Sequence, residues 1–104
     1  MTTLIVLFSL QPGTDPQVYE EWAKTTDLPV VRGLPSVNAF SVYRVGGLFG
    51  TDSPAPCDYV EMIDVSDMVQ FGDDISTDTM AKVAAEFRQF ADDPVFMLTQ
   101  LVEG

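Results

Sequence analysis

The chain has 104 residues, 46 % of them apolar, with 16 acidic against 5 basic side chains, a formal net charge of -11 and no histidine; this length suits one domain, residues 1–104, built on a single core. Such a charge repels phosphate backbones and anionic lipid, so neither nucleic acid nor a membrane surface is expected as a partner. Without histidine, Ser-His-Asp and Cys-His catalysis and nearly all catalytic zinc sites are excluded, and the single cysteine, Cys57, rules out an intrachain disulfide and makes the cytoplasm the expected location.

Thr3 to Leu10 is apolar on both alternating faces, Leu4, Val6, Phe8 and Leu10 against Ile5 and Leu7, which is the pattern of a strand covered on both sides. Gln11-Pro12-Gly13 ends it. Asp15-Pro16 reads as an N-cap followed by a first-turn proline, and Val18, Trp22 and Ala23 form an apolar helical face that is expected to fade near Thr25 or Thr26. Pro29, Gly33 and Pro35 then predict a sharp turn between Asp27 and Ser36 rather than a longer helix. Val37 to Val45 reads as the second strand, Gly46 to Pro56 as a loop, and Asp58 to Val65 as the third strand, with Tyr59, Glu61, Ile63 and Val65 on one face. Ser66 is placed to cap a short helix over 67–71 that Gly72 interrupts. From Ser76 a stronger helix carries Met80, Val83, Ala84, Phe87 and Phe90 on one side. Asp92-Asp93-Pro94 reads as its stop and Val95 to Val102 as the fourth strand.

This order makes an α+β domain, a ferredoxin-like βαββαβ unit with both helices on one face of a four-stranded sheet. Strands with two apolar faces cannot leave one of them wet, since each large apolar side chain removed from water is worth about 1.5 to 3 kcal/mol. A homodimer with sheets packed face to face is therefore expected; the competing cover is the Gly/Pro-rich loop of the same chain. No phosphate-cradling GxxxxGK[ST] loop, GxGxxG turn or calcium loop is present, so no cofactor and no metal are expected, and Asp73, Asp74, Asp78 and the Asp92-Asp93 pair read as helix caps and turns.

The run Trp22-Ala23-Lys24-Thr25-Thr26-Asp27-Leu28-Pro29-Val30-Val31-Arg32-Gly33-Leu34-Pro35-Ser36-Val37, with Phe40, Val42-Tyr43-Arg44, Met68 to Phe71, Ala84 to Phe90 and Phe96-Met97-Leu98-Thr99, resembles the REDY-like (HapK) family over nearly the whole chain. The resemblance implies a dimeric α+β barrel and a place in the biosynthesis of prodiginine (prodigiosin) pigments, tripyrroles made by condensing a bipyrrole aldehyde with a monopyrrole. It leaves the chemistry open.

An apolar pocket with a few convergent polar groups would suit a flat heteroaromatic ligand. Trp22, Phe40, Phe87 and Phe90 are the candidate aromatic walls, with ordinary core packing as the alternative. Asp27 and Arg32 bracket the proline turn, either as an ion pair clamping it or as ligand contacts. Glu61, mid-strand among apolar neighbours, is the candidate proton carrier, because desolvation raises a carboxyl pKa; Tyr43 is the candidate for orienting a carbonyl. Two functions stay open: a small-molecule-binding protein handling a pyrrole or bipyrrole intermediate, alone or for another pathway enzyme, and a cofactor-free enzyme acting on that intermediate by carboxylate or tyrosine proton transfer.

Overall fold

In the computed structural model, which describes residues 1–103, strand β1 (Thr2–Leu10) lies inside the sheet and pairs antiparallel on both edges, with β3 (Tyr59–Val65) and β4 (Ala91–Thr99); β2 (Val37–Arg44) pairs with the far edge of β3. The order β2-β3-β1-β4 is that of a ferredoxin-like sheet. The register sets Val6, Glu61, Val42 and Phe96 in one row and Leu4, Ile63, Phe40 and Leu98 in the next, on the face that the helices cover. The alternate residues form the other face. There Ile5, Leu7, Val60, Met62, Tyr43, Val95 and Met97 share rows, and no element among the described residues lies over them. The molecule is accordingly a slab, 41 × 38 × 20 Å, and its radius of gyration of 14.4 Å exceeds the roughly 13 Å of an equiaxed domain of this size.

Helix α1 (Pro16–Trp22) starts as expected, with Asp15 Oδ1 accepting from Gln17 N at 2.9 Å. It does not fade at Thr25. The backbone widens into a π turn over Ala23–Asp27 and continues as α2 (Leu28–Arg32), so the predicted sharp turn is confined to Gly33–Ser36. The wider turn just before Pro29 accommodates a residue that has no N–H and whose ring would clash with the carbonyl four residues back in a regular helix. The short helix α3 (Met68–Asp74) runs through Gly72 and is capped by Asp67 rather than Ser66, and α4 (Asp78–Phe90) is capped by Thr77 rather than Ser76.

The acidic-proline segment after α4 also departs from expectation. β4 begins at Ala91 with no intervening loop, and Asp92, Asp93 and Pro94 lie within it. A bulge opposite Leu7–Ser9 absorbs them, with Asp93 at φ 48°, and an edge strand tolerates a proline that cannot donate to a ladder. The strand ends at Thr99 rather than Val102.

Two buried clusters fill the space between sheet and helices, one centred on Phe8, Tyr19, Tyr59 and Phe87, the other on Val31, Phe40, Ile63 and Phe71. Phe8 meets Tyr19 and Phe87 edge-on at 5.4 and 5.0 Å and stacks on Tyr59 at 5.5 Å. Phe8→Ala is therefore expected to cost about 3–5 kcal/mol in denaturant unfolding, whereas Phe49→Ala, at a fully exposed loop position, is expected to change stability by less than about 0.5 kcal/mol.

Candidate functional site

Tyr19, Ala23, Asp27 and Val31 are all buried and lie four residues apart. On a regular helix each four-residue step overshoots a turn by about 40°, so this row would wind away from the sheet by Val31. The π turn corrects the drift by adding residues to one turn, and so keeps Asp27, 5 % exposed, aimed at the sheet. Opposite it, mid-strand in β3, stands Glu61, also 5 % exposed.

The two carboxyls meet at a mostly apolar cavity of about 260 Å³ between the sheet and helices α2, α3 and α4. Leu4, Phe40, Ile63 and Phe96 line it from the strands, Val31, Phe71, Val83 and Phe87 from the helices, and Arg88 is its one cationic lining residue. Tyr19 Oη donates to Glu61 Oε2 at 3.4 Å, and the two carboxyls hydrogen-bond to each other.

No cation faces the pair to offset its desolvation, and both carboxyls are pushed upward. Burial raises Asp27 to about 6, while its hydrogen bond with Glu61 works in the opposite direction. Burial, the nearby Asp27 charge and the Asp27 hydrogen bond raise Glu61 to about 8, and the Tyr19 hydroxyl pulls it partly back. At neutral pH the pair thus shares one proton and carries one negative charge. The Tyr19 hydroxyl is pushed far up by burial and by Glu61, so it remains a donor.

Of the residues singled out in the sequence, Asp27, Phe40, Glu61 and Phe87 are brought together around this cavity, and Trp22, Phe90, Arg32 and Tyr43 are not. Trp22 packs against Phe90 at 5.3 Å and Phe87 at 6.5 Å, and its Nε1 donates to Glu86 at 3.0 Å. Arg32 donates from Nε to the Phe40 carbonyl at 3.0 Å and makes no ion pair with Asp27. The continued helix is the reason: five residues of helix turn the two side chains about 140° apart. Tyr43 lies on the uncovered sheet face, 54 % exposed. Tyr19 and Arg88 were not singled out; the four-residue spacing from Tyr19 to Val31 was the available signal for the first.

A second carboxyl network borders the site. Arg44 donates twice to Glu20 at 2.7 Å and Tyr59 Oη donates to the same carboxyl at 2.7 Å, which holds Glu20 down to about 2.

The profile of the REDY-like protein HapK matches residues 2–102. The chain belongs to the REDY-like HapK family. HapK from Hahella chejuensis, a solved structure, is 29 % identical to it, with a TM-score of 0.77 over 100 % of this chain and 96 % of that one. The same fold occurs in SnoaB, a cofactor-independent oxygenase from Streptomyces nogalater, at 14 % identity and TM-score 0.77, covering 99 % and 94 % of the two chains. It occurs too in a dimeric ferredoxin-like protein of unknown function from Thermobifida fusca, at 17 % identity and TM-score 0.75, covering 96 % and 90 %. No curated protein sequence matches the chain.

The carboxyl pair gives this REDY-like domain a pH signature. Folded-state values above the ordinary carboxyl range mean that the pair's contribution to stability is complete below about pH 4 and is lost as pH rises through about 6 and about 8. Glu20 acts in the opposite sense, its contribution being lost only as pH falls toward about 2. The chain has no histidine, whose titration would otherwise dominate the middle of this range. The melting temperature is expected to fall between about pH 5 and pH 8, and Glu61→Gln to flatten that fall; an unchanged slope in the variant would contradict the assignment.

Proposed function

We propose that the chain binds a small flat heteroaromatic molecule, a mono- or bipyrrole intermediate of prodigiosin-type pigment assembly, in the cavity between its helices and sheet. The volume carries this reading. At about 260 Å³ the cavity exceeds the roughly 150 Å³ that admits benzene and falls below the roughly 300 Å³ at which pockets for drug-sized ligands begin. One or two five-membered rings fit; a finished tripyrrole with its substituents does not. Phe40 and Phe87 supply flat apolar wall, and the REDY-like resemblance supports the pigment pathway. Calorimetric titration with 2,2′-bipyrrole is expected to show saturable binding and a tripyrrole none; equal affinity for the two would sink the size argument.

The uncovered sheet face supports a homodimer, because Ile5, Leu7, Val60, Met62, Val95 and Met97 otherwise meet water in one contiguous patch. Sedimentation at micromolar concentration is expected to give twice the 11.4 kDa chain mass. A charge at Leu7 is then expected to give aggregated or unfolded protein rather than a stable monomer. No helix among the described residues is long and apolar enough to cross a membrane, in keeping with a role among cytoplasmic pathway enzymes.

A second reading, a cofactor-free enzyme acting on the same intermediate, is favoured by one observation: a buried pair holding a single proton can give a proton with one carboxyl and accept one with the other. Incubating the protein with a bipyrrole aldehyde and a monopyrrole and following product by mass spectrometry separates the two. For an enzyme, Glu61→Gln should slow turnover by about two to four orders of magnitude with little change in binding; for a binding protein, pigment formation in cells should be normal with this variant.

A further inference from the structure

We propose that the cavity selects heteroaromatics that donate an N–H, with the Asp27 carboxyl as the acceptor. This rests on the reading that the cavity takes a small ring system, and it names the chemistry by which one ring system is chosen over another.

The deep polar groups of the cavity are the Asp27 and Glu61 carboxyls; the one cation in its lining, Arg88, is on the outer helix and exposed. Glu61 Oε2 already accepts from Tyr19, and the Glu61 carboxyl is otherwise engaged with that of Asp27. Among the described residues Asp27 receives no hydrogen bond besides the one from Glu61, and none of its oxygens is sealed away without a partner. Asp27 therefore has lone pairs left to direct into the cavity, where the remaining walls are aliphatic and aromatic. A carbonyl, furan or thiophene ring edge placed there offers the carboxylate no proton and leaves it desolvated and unpaired. A pyrrole, imidazole or amine N–H supplies that proton through a charge-assisted hydrogen bond, and the single negative charge of the pair also tolerates a protonated nitrogen. The remaining charged or titratable neighbours, Tyr19 from α1 and the Glu20, Arg44 and Tyr59 network behind it, are engaged with one another or with Glu61 and do not line this cavity.

The test compares 2,2′-bipyrrole with 2,2′-bithiophene, a flat ring pair of similar shape, more apolar and without N–H groups, by calorimetric titration of the whole protein at pH 7. Burial of apolar surface alone favours the bithiophene, so the two explanations predict opposite orders. The expected result is bipyrrole binding at least about tenfold tighter, with Asp27→Asn narrowing that preference, because the charge-assisted bond to bipyrrole weakens and the desolvated charge that opposes bithiophene is gone. The wild-type comparison stands even if Asp27→Asn fails to fold. Equal affinity for the two probes, or a preference undiminished in Asp27→Asn, would overturn the N–H assignment and leave the small-molecule reading in place. Binding of neither probe to the wild-type protein would overturn both.

Discussion

Phe8 occupies the point where α1 and α4 meet the sheet, and the carboxyl end of the site depends on the packing around it. Its ring is in contact with Tyr19 from α1, Phe87 from α4 and Tyr59 from the neighbouring strand. Each such aromatic pair contributes about 0.5–1.5 kcal/mol beyond the area it buries, and the geometry is directional. Tyr19 is thereby fixed against β3, with its hydroxyl against Glu61, and α1 is fixed at the height from which the π turn delivers Asp27. The cavity lies where this dense aromatic packing gives way to the looser aliphatic contacts of Val31, Ile63 and Val83.

Two kinds of buried carboxyl occur in this small domain, and their surroundings drive them in opposite directions. Asp74 accepts from the backbone N–H and hydroxyl of Ser36 at 3.0 and 2.6 Å and from Gln70 at 2.7 Å, which holds it below the usual range. It ties α3 to the start of β2. Asp27 and Glu61 have the same functional group but no cation and few donors, so burial dominates and raises them. An apolar pair in their place would pack without a desolvation cost, so stability gives no reason to keep two acids there. A role toward a ligand or a proton does, and perturbed carboxyls in a cavity are where such roles concentrate.

The slab shape connects the two halves of the functional argument. One layer of helices about 10 Å thick on one sheet leaves half of the apolar strand surface uncovered, and the 20 Å minor extent shows that no third layer is present in one chain. The cavity lies on the helical side of the sheet, with Phe96 of the edge strand β4 in its lining, away from the uncovered face.

The strands, their two apolar faces, the element order and the burial of Glu61 were legible in the sequence, because alternation along a strand assigns faces residue by residue and needs no knowledge of what lies opposite. So was the family, through the tryptophan, proline and arginine spacing of 22–37. The course of the chain after Trp22 was not. Pro29 and Gly33 read locally as breakers, yet the packing of Ala23, Asp27 and Val31 on the sheet kept the helix going by widening one turn. That single tertiary choice separated Asp27 from Arg32, turned the first toward Glu61 and the second to the Phe40 carbonyl. Likewise the residues after α4 carry turn chemistry in sequence but pair as an edge strand, because β1 offered an open edge that a bulge could fit. Periodicity determined which residues are buried; which buried groups meet depended on helix phase and strand register, and those are set by contacts between segments far apart in the chain.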